Sequence, residues 1–418
     1  MTKLPATLRA LQYRNFKLFF SGQLISLIGT WMQNLAQAWL VYRLTGSMVL
    51  LGGISFCSQI PIFLFSTLGG MAADRYSRQR LVIATQTLSM LLALALAAVT
   101  LTGTVRIWHI FVLSALLGVV NAFDIPARQS FIVEMVGKAD LMNAIALNSS
   151  MFNASRVLGP AIAGILVATI GEGWCFFANG VSYIAVIVGL LAMRVEPHRR
   201  VSYGSPVARM VEGFRFVIHN RPIHALLILL GVASVTGMPF TVLMPVFADR
   251  VLHGGPKALG WLTGSAGMGA LAAALLLASR QTLKGLGGWI AVSAMAFGAG
   301  LVVFAFSRTL WVSAAVLVLV GFATMVQMGS SNTLIQSMVP DQLRGRVMGV
   351  YSMMFIGMAP FGGLLAGIVA DRVGAPATVA GGGVICLVAA GIFRTQLGGI
   401  RVHARRLIAN QQAAAEEE

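Results

Sequence analysis

Residues 108–171 read WHIFVLSALLGVVNAFDIPARQSFIVEMVGKADLMNAIALNSSMFNASRVLGPAIAGILVATIG, and residues 311–374 read WVSAAVLVLVGFATMVQMGSSNTLIQSMVPDQLRGRVMGVYSMMFIGMAPFGGLLAGIVADRVG. At a constant offset of 203 the two stretches align without a gap and share 14 of 64 residues. Composition alone would give roughly 5 matches, so the chain holds a duplicated half. The matches fall where packing needs them: Trp108 with Trp311, Gly118 with Gly321, Met135-Val136 with Met338-Val339, Met151-Phe152 with Met354-Phe355, Gly164-Ile165 with Gly367-Ile368, and Gly171 with Gly374.

Working outward, 57% hydrophobic and 10% charged residues in 418 leave too little polar surface to coat a soluble globule. Twelve apolar stretches of spanning length are centred near Ile28, Phe63, Leu92, Leu113, Ala154, Ile184, Ser234, Gly269, Phe297, Leu317, Gly357 and Ile385. The expected fold is an all-α integral membrane protein, twelve transmembrane helices in two pseudo-symmetric six-helix bundles. Residues 1–193 form the first bundle, 194–221 a cytoplasmic linker, 222–394 the second bundle and 395–418 a cytoplasmic tail whose Ala-rich and Glu-rich end is left disordered. In the linker, Arg194, Arg199, Arg200, Arg209, Arg215 and Arg221 surround an amphipathic helix whose apolar stripe is Val207, Met210, Val211, Phe214 and Ile218.

With both termini cytoplasmic, 23 of the 30 Lys and Arg residues lie in termini or inner loops, 6 in outer loops, and Arg156 alone inside a span. The net charge of +17 therefore reflects topology and attraction to the lipid bilayer, and no nucleic-acid partner is expected. The start could be read as a signal peptide cut near Ala36-Gln37-Ala38, but the run is long and carries Gln23, Gln33 and Asn34, and its loss would leave eleven spans. Cys57, Cys175 and Cys386 fall in separate apolar segments and have neither disulfide nor metal spacing. There is no GxxxxGK[ST] loop, no clustered His, Cys or Ser-His-Asp set, and no cofactor motif, which argues against an enzyme.

Two polar stripes mark a candidate pathway. Gln23, Ser26, Thr30, Gln33 and Gln37 share one face of the first span, and Ser149, Asn153 and Arg156 one face of the fifth. A polar face in a lipid-buried helix must meet protein or water. Hydrogen bonding between packed helices is the rival reading of the first stripe. Arg156 lies near the bilayer midplane, where an unpaired guanidinium costs several kcal/mol, and none of the 13 acids sits in the middle third of a span. Such a cavity favours neutral or anionic amphiphiles, and Asp124 is the best acid on offer if protons are coupled. Met238, Phe240, Met244, Met354 and Met358 would add an adaptable wall. Pro239, Pro245 and Pro360 should bend or break their helices, and Gly159, Pro160 and Gly164 form a further bending segment.

Gly70-Met-Ala-Ala-Asp74-Arg75-Tyr-Ser-Arg78-Gln-Arg80, between the second and third spans, resembles the loop signature of the major facilitator superfamily, G-x-L-A-D-R-x-G-R-(R/K), with Ala72 for leucine and Ser77 for glycine. Asn15-Phe-Lys-Leu-Phe19, Asp124-Ile-Pro-Ala-Arg128-Gln129 and the run from Asn143 through Arg156 to Gly159-Pro160 are similar to the drug and siderophore exporter branch that holds enterobactin exporters and macrolide efflux proteins. Gly159-Pro-Ala-Ile-Ala163-Gly164 resembles the antiporter signature GPxxGG, with Ala163 for the first paired glycine. The resemblance implies a monomeric exporter of amphipathic small molecules in a bacterial inner membrane, working by alternating access and antiport. It also implies a gate in which Asp74 helps hold the cytoplasmic side closed, with Arg128 as partner and Gly70, Arg75, Arg78, Arg80 and Asp124 nearby. Asp371-Arg372 mimics the loop motif from the outer face. A lipid or lysolipid flippase of the same fold and a membrane receptor without transport are the alternatives.

Overall fold

The computed structural model describes residues 6–137, 140–194, 206–280, 282–283 and 285–416. Among these there is helix and no strand. A 3-10 segment, Ala6–Gln12, leads into α1 (Arg14–Thr45), α2 (Met48–Arg75), α3 (Arg78–Leu101), α4 (Ile107–Val136), α5 (Leu141–Thr169) and α6 (Glu172–Leu191). The linker helix α7 (Pro206–His219) precedes α8 (Arg221–Val232), α9 (Phe240–Val246), α10 (Gly255–Ala278), α11 (Leu286–Phe306) and α12 (Leu310–Met338). The chain ends with α13 (Asp341–Ser352), α14 (Ala359–Val373) and α15 (Ala375–Glu416). Three π-helical turns interrupt the second half: Ala233–Gly237, Phe247–Val251 and Met353–Gly357.

Eleven helices among the described residues are long and apolar enough to cross a membrane. The twelfth expected span, α1, has 32 residues but is diluted by Gln23, Gln33, Asn34 and Gln37. Contacts divide the chain into two units, Met1–Tyr203 with Ala248–Gly264, and Gly204–Phe247 with Ser265–Glu418. In the first, α1 packs on α5 and α6, α2 on α4, and α3 on α4 and α6. In the second, α11 packs on α12 and α15, and α8 on α15.

The duplication is visible in the backbone. Gly171 and Gly374 close the repeat with φ of 89° and 88°, a left-handed setting that strains any residue with a Cβ. Gly118 and Gly321 each lie so close to a neighbouring helix that an added Cβ would strike a carbonyl, of Ser58 in one case and Ala266 in the other. Trp108 and Trp311 both stand exposed on the first turn of their helices, as aromatic residues do at a membrane interface.

The N-terminus is anchored. Asp140 accepts from Tyr13 Oη (2.7 Å) and Gln12 Nε2 (3.2 Å) and pairs with Arg9 Nε at 3.0 Å, while Asn143 Oδ1 accepts from the Ala10 amide. The hydrogen bond to Asp140 raises the Tyr13 phenol above its ordinary value.

Two expectations are corrected. The tail is not disordered through its described part, because α15 continues past Arg394 to Glu416. The linker helix is present, but its buried edge includes Val217, with Phe214 and Phe216 packed beside it, while Ile218 is 62% exposed. Arg199 and Arg200 lie outside the described residues, as do the side chains of Val207, Arg209, Met210 and Val211. An ion pair from Glu212 to Arg346 of α13 ties the linker helix to the second unit.

Candidate functional site

The stripe on α1 turns inward. Gln23, Ser26 and Gln33 are buried; Gln33 Oε1 accepts from Asn179 Nδ2 of α6 at 2.7 Å, and Gln37 Nε2 donates to Ser114 Oγ of α4 at 2.9 Å. Thr30 Oγ1 donates to the Ser26 carbonyl of its own helix. These residues form helix-packing seams in the first unit, so the expected open wall is corrected. Helical periodicity identifies a face but not its neighbour, and polar side chains on α4 and α6 meet Gln37 and Gln33, while Gln23 Oε1 is buried without a hydrogen-bond partner.

The fifth span presents the more accessible face. Ile145, Ser149 and Phe152 are exposed, and Arg156, one turn further, keeps accessible surface although it lies deep among protein atoms. The guanidinium carbon sits 5.9 Å from the Trp31 ring centroid, and Phe152 meets the same indole edge-on at 5.6 Å. Asn153 is buried and donates to the Ser149 carbonyl, one turn back in its own helix. Among the described residues no carboxylate lies within ion-pair distance of Arg156. A cation–π contact is worth about 0.5–2 kcal/mol, less than the several kcal/mol that a mid-membrane charge costs. The deficit has to be met by water or by an anionic group.

Gly159 makes this arrangement possible. A Cβ there would lie 2.5 Å from Trp31 Cβ and 2.8 Å from the Ile28 carbonyl oxygen, so only glycine allows α1 and α5 to approach. Gly164 likewise faces Gly260 and Pro256 of α10, where a Cβ would come within 2.9 Å of each. The helix runs unbroken from Leu141 to Thr169 through Pro160. Gly159 and Gly164 therefore set packing distance, and Pro160 is accommodated without a break in the helix.

The charged ends of α2, α3 and α4 form two clusters. Asp124, 2% exposed, accepts from Thr85 Oγ1 (2.7 Å), Gln86 Nε2 (2.9 Å) and Arg128 Nε (3.3 Å). Arg128 thus pairs with Asp124 and not with Asp74. Arg78 is buried and reaches Glu134 at 2.9 Å, the Ser130 carbonyl at 3.0 Å and the Ala73 carbonyl at 3.3 Å, with Asp74 at 3.8 Å. Gly70 has open space around its Cα, and Asp74, Arg75 and Arg80 are exposed, with Arg75 stacked over Tyr76. Ser77, which replaces the motif's glycine, has an ordinary negative φ and caps α3, its hydroxyl accepting from the Arg80 amide.

In the second unit Phe240 and Met244 are buried, Phe240 edge-on to Phe304, and so belong to the core. Met238, Met354 and Met358 stay partly accessible. The π turns stand beside the expected breaks, with Pro239 and Pro360 just after the first and last of them and Pro245, inside α9, just before the second. One freed carbonyl has a clear substitute partner: Ser234 Oγ, in the first π turn, donates to the Phe355 carbonyl in the last at 2.6 Å. Side-chain hydroxyls that satisfy freed carbonyls are what make broken helices tolerable inside a membrane.

Trp31, Thr85, Gln86 and Glu134 were not singled out by the sequence reading. Trp31 had a usable signal, an indole one residue from Thr30 in an unusually polar span. Glu134 had a weaker one, being an acid near a helix end with no assigned counter-charge.

The transmembrane secretion effector family model matches residues 6–414. The staphyloferrin A transporter of Staphylococcus aureus (strain NCTC 8325 / PS 47) is 27% identical over 86% of this chain and 90% of its own length. The multidrug efflux pump Tap of Mycolicibacterium fortuitum is 28% identical over 84% and 88%. Among solved structures, the D323A mutant of the nucleoside transporter NupG superposes with a TM-score of 0.71 at 14% identity, covering 92% of this chain and 99% of that one, which supports the fold alone. With the repeat, the membrane helices and the Asp74–Arg78 loop already in view, the chain belongs to the transmembrane secretion effector family, transporters of the major facilitator superfamily.

Proposed function

We propose that this chain exports amphipathic small molecules, neutral or anionic, by alternating access, and that the α5 face ending at Arg156 is the cargo contact of the first unit. The observation that carries this reading is Arg156 itself: a partly accessible guanidinium deep in the protein, stacked on Trp31, with no acid beside it. Met238, Met354 and Met358 are the second unit's candidates for cargo contact, since thioethers adapt to varied apolar shapes. The distribution of basic residues supports cytoplasmic termini, and the family resemblance supports a bacterial inner membrane. A drug efflux pump and a siderophore transporter among the relatives support cargo of this size and amphipathic kind. The export is coupled as antiport, and the buried Asp124 is the candidate proton carrier. The working unit is the monomer.

The test is transport by the purified protein in proteoliposomes, using a panel of anionic, neutral and cationic amphiphiles with and without a pH gradient. Arg156→Gln should reduce anionic transport by at least tenfold, Arg156→Lys less, and neutral transport only a few-fold, because lysine keeps the charge but loses the planar fork. Equal loss for all cargo together with lower stability would place Arg156 in the framework and remove the preference for anions.

A further inference from the structure

The second unit holds a groove of about 550 Å³ between α8 and α15, on the side of the bundle where the linker helix enters. A space of this size is in the range of small-molecule sites. Its polar lining comes from Arg221 and His224 on the first turn of α8 and from Thr395, Gln396 and His403 on α15. No acid is among its lining residues. His403 Nδ1 lies 2.9 Å from the Gly399 carbonyl oxygen. A carbonyl only accepts, so Nδ1 carries the hydrogen, and Nε2 faces the groove, where it donates to an anion in the imidazolium form. Two other basic residues of α15 turn away: Arg394 Nη1 is 3.8 Å from Met295 Sδ on α11, and Arg401 lies against Gly288 of that helix.

Depth identifies the occupant. Thr395 comes 20 residues after Ala375, the start of α15, a rise of about 30 Å and hence one hydrocarbon thickness. The polar lining therefore sits where acyl chains give way to headgroups. Further into the bilayer the groove continues along Ala225 and Ile228, and Ile228 is exposed, as are Ile392 and Val388 of α15 on the lipid side. A cationic rim above an apolar trough open to lipid fits a molecule with an anionic head and an apolar tail.

We propose that this groove binds the phosphodiester headgroup of an anionic phospholipid from the leaflet on the linker side, with Arg221, His224 and His403 around the phosphate and one acyl chain along Ile228. The test uses the full-length protein in detergent, titrated with short-chain phosphatidylglycerol, with short-chain phosphatidylcholine and with inorganic phosphate. Binding is read by retention in native mass spectrometry and by the thermal midpoint. Phosphatidylglycerol should bind saturably, at least tenfold more tightly than phosphatidylcholine, and phosphate should not reproduce the thermal shift. The R221Q/H224Q/H403Q variant should weaken phosphatidylglycerol binding tenfold or more, while R372Q, at the end of α14, leaves it unchanged. Ala225→Trp fills the trough without altering charge and should do the same as the triple variant, so the idea stays testable if the triple variant folds poorly. Equal binding of both lipids, wild-type binding by Ala225→Trp, or a full shift from phosphate alone would each overturn the assignment.

Discussion

The fifth and eleventh spans descend from one duplicated segment and have diverged in opposite ways. Both use a glycine to press against another helix of their unit: Gly159 against Ile28 and Trp31, and its repeat partner Gly362 against Ser234 and Val235. Both end at a glycine of near-identical φ. Ahead of those shared points the fifth span is one continuous helix carrying Arg156, whereas the eleventh is broken by a π turn and has Ala359 at the equivalent position. The preceding spans differ in the same sense. Asp124 and Arg128 form a buried ion pair in α4, and their repeat partners in α12 are Gln327 and Ser331, whose Nε2 and Oγ have no hydrogen-bond partner. Packing was retained in both halves, charge chemistry in the first, and an irregular backbone in the second.

The largest expected effect tests that charge asymmetry. Asp124→Leu leaves Arg128 and Gln86 without their acceptor, Thr85 keeping the Val82 carbonyl, and should cost about 3 kcal/mol, the low end for a broken buried pair because Arg128 keeps some water. Gln327→Leu should be neutral or stabilise by up to about 1 kcal/mol, since it removes a buried amide nitrogen that has no hydrogen-bond partner. Thermal unfolding of both variants in one detergent decides it, and equal losses would mean that the two halves do not differ in this respect.

A smaller effect sharpens the shared part of the comparison. Gly159→Ala and Gly362→Ala should each destabilise by about 1–3 kcal/mol through forced separation of helices, whereas Gly391→Ala, in open space on α15, should be neutral or slightly favourable. If Gly362→Ala is harmless while Gly159→Ala is not, the π turn absorbs strain that the continuous helix cannot.

The smallest expected effect on structure is at the loop. Asp74 is exposed and 3.8 Å from Arg78, which already has Glu134, so Asp74→Asn should change stability by less than about 0.5 kcal/mol. Transport turnover should fall several-fold with cargo affinity unchanged, because a gate residue biases the equilibrium between states without touching cargo. A matching loss of affinity, measured by direct binding, would place Asp74 in the cargo site.

Much of this molecule was legible before any coordinates, for physical reasons that vary by residue. Composition identified the solvent, and the repeat identified the halves, because lipid burial and duplication act on the whole chain. Arg156 stood out because charge in hydrocarbon is costly wherever the neighbours are. The destiny of Gln33 and Gln37 was not legible, since their partners Asn179 and Ser114 lie 146 and 77 residues away. Prolines alone do not say where a helix breaks: π turns stand beside those of the second half, and the helix is continuous through Pro160. Only the structure shows which prolines disturb their helix, and it supplies Ser234 as a donor for one freed carbonyl.

The π turn at Met353–Gly357 has a consequence for numbering. Such a turn carries one more residue than an α turn, worth about 100° of rotation. Relative to the turn before it, every side chain of α14 is dialled round by that amount, although the alignment of the halves has no gap. The gap-free pairing nonetheless holds past the turn, since Gly362 meets the Ser234–Val235 backbone as Gly159 meets Ile28 and Trp31, and Ala359 remains the counterpart of Arg156. Anyone grafting features from one half to the other can keep the offset of 203 through α14, but must allow for the rotated azimuth of the turns that precede Met353.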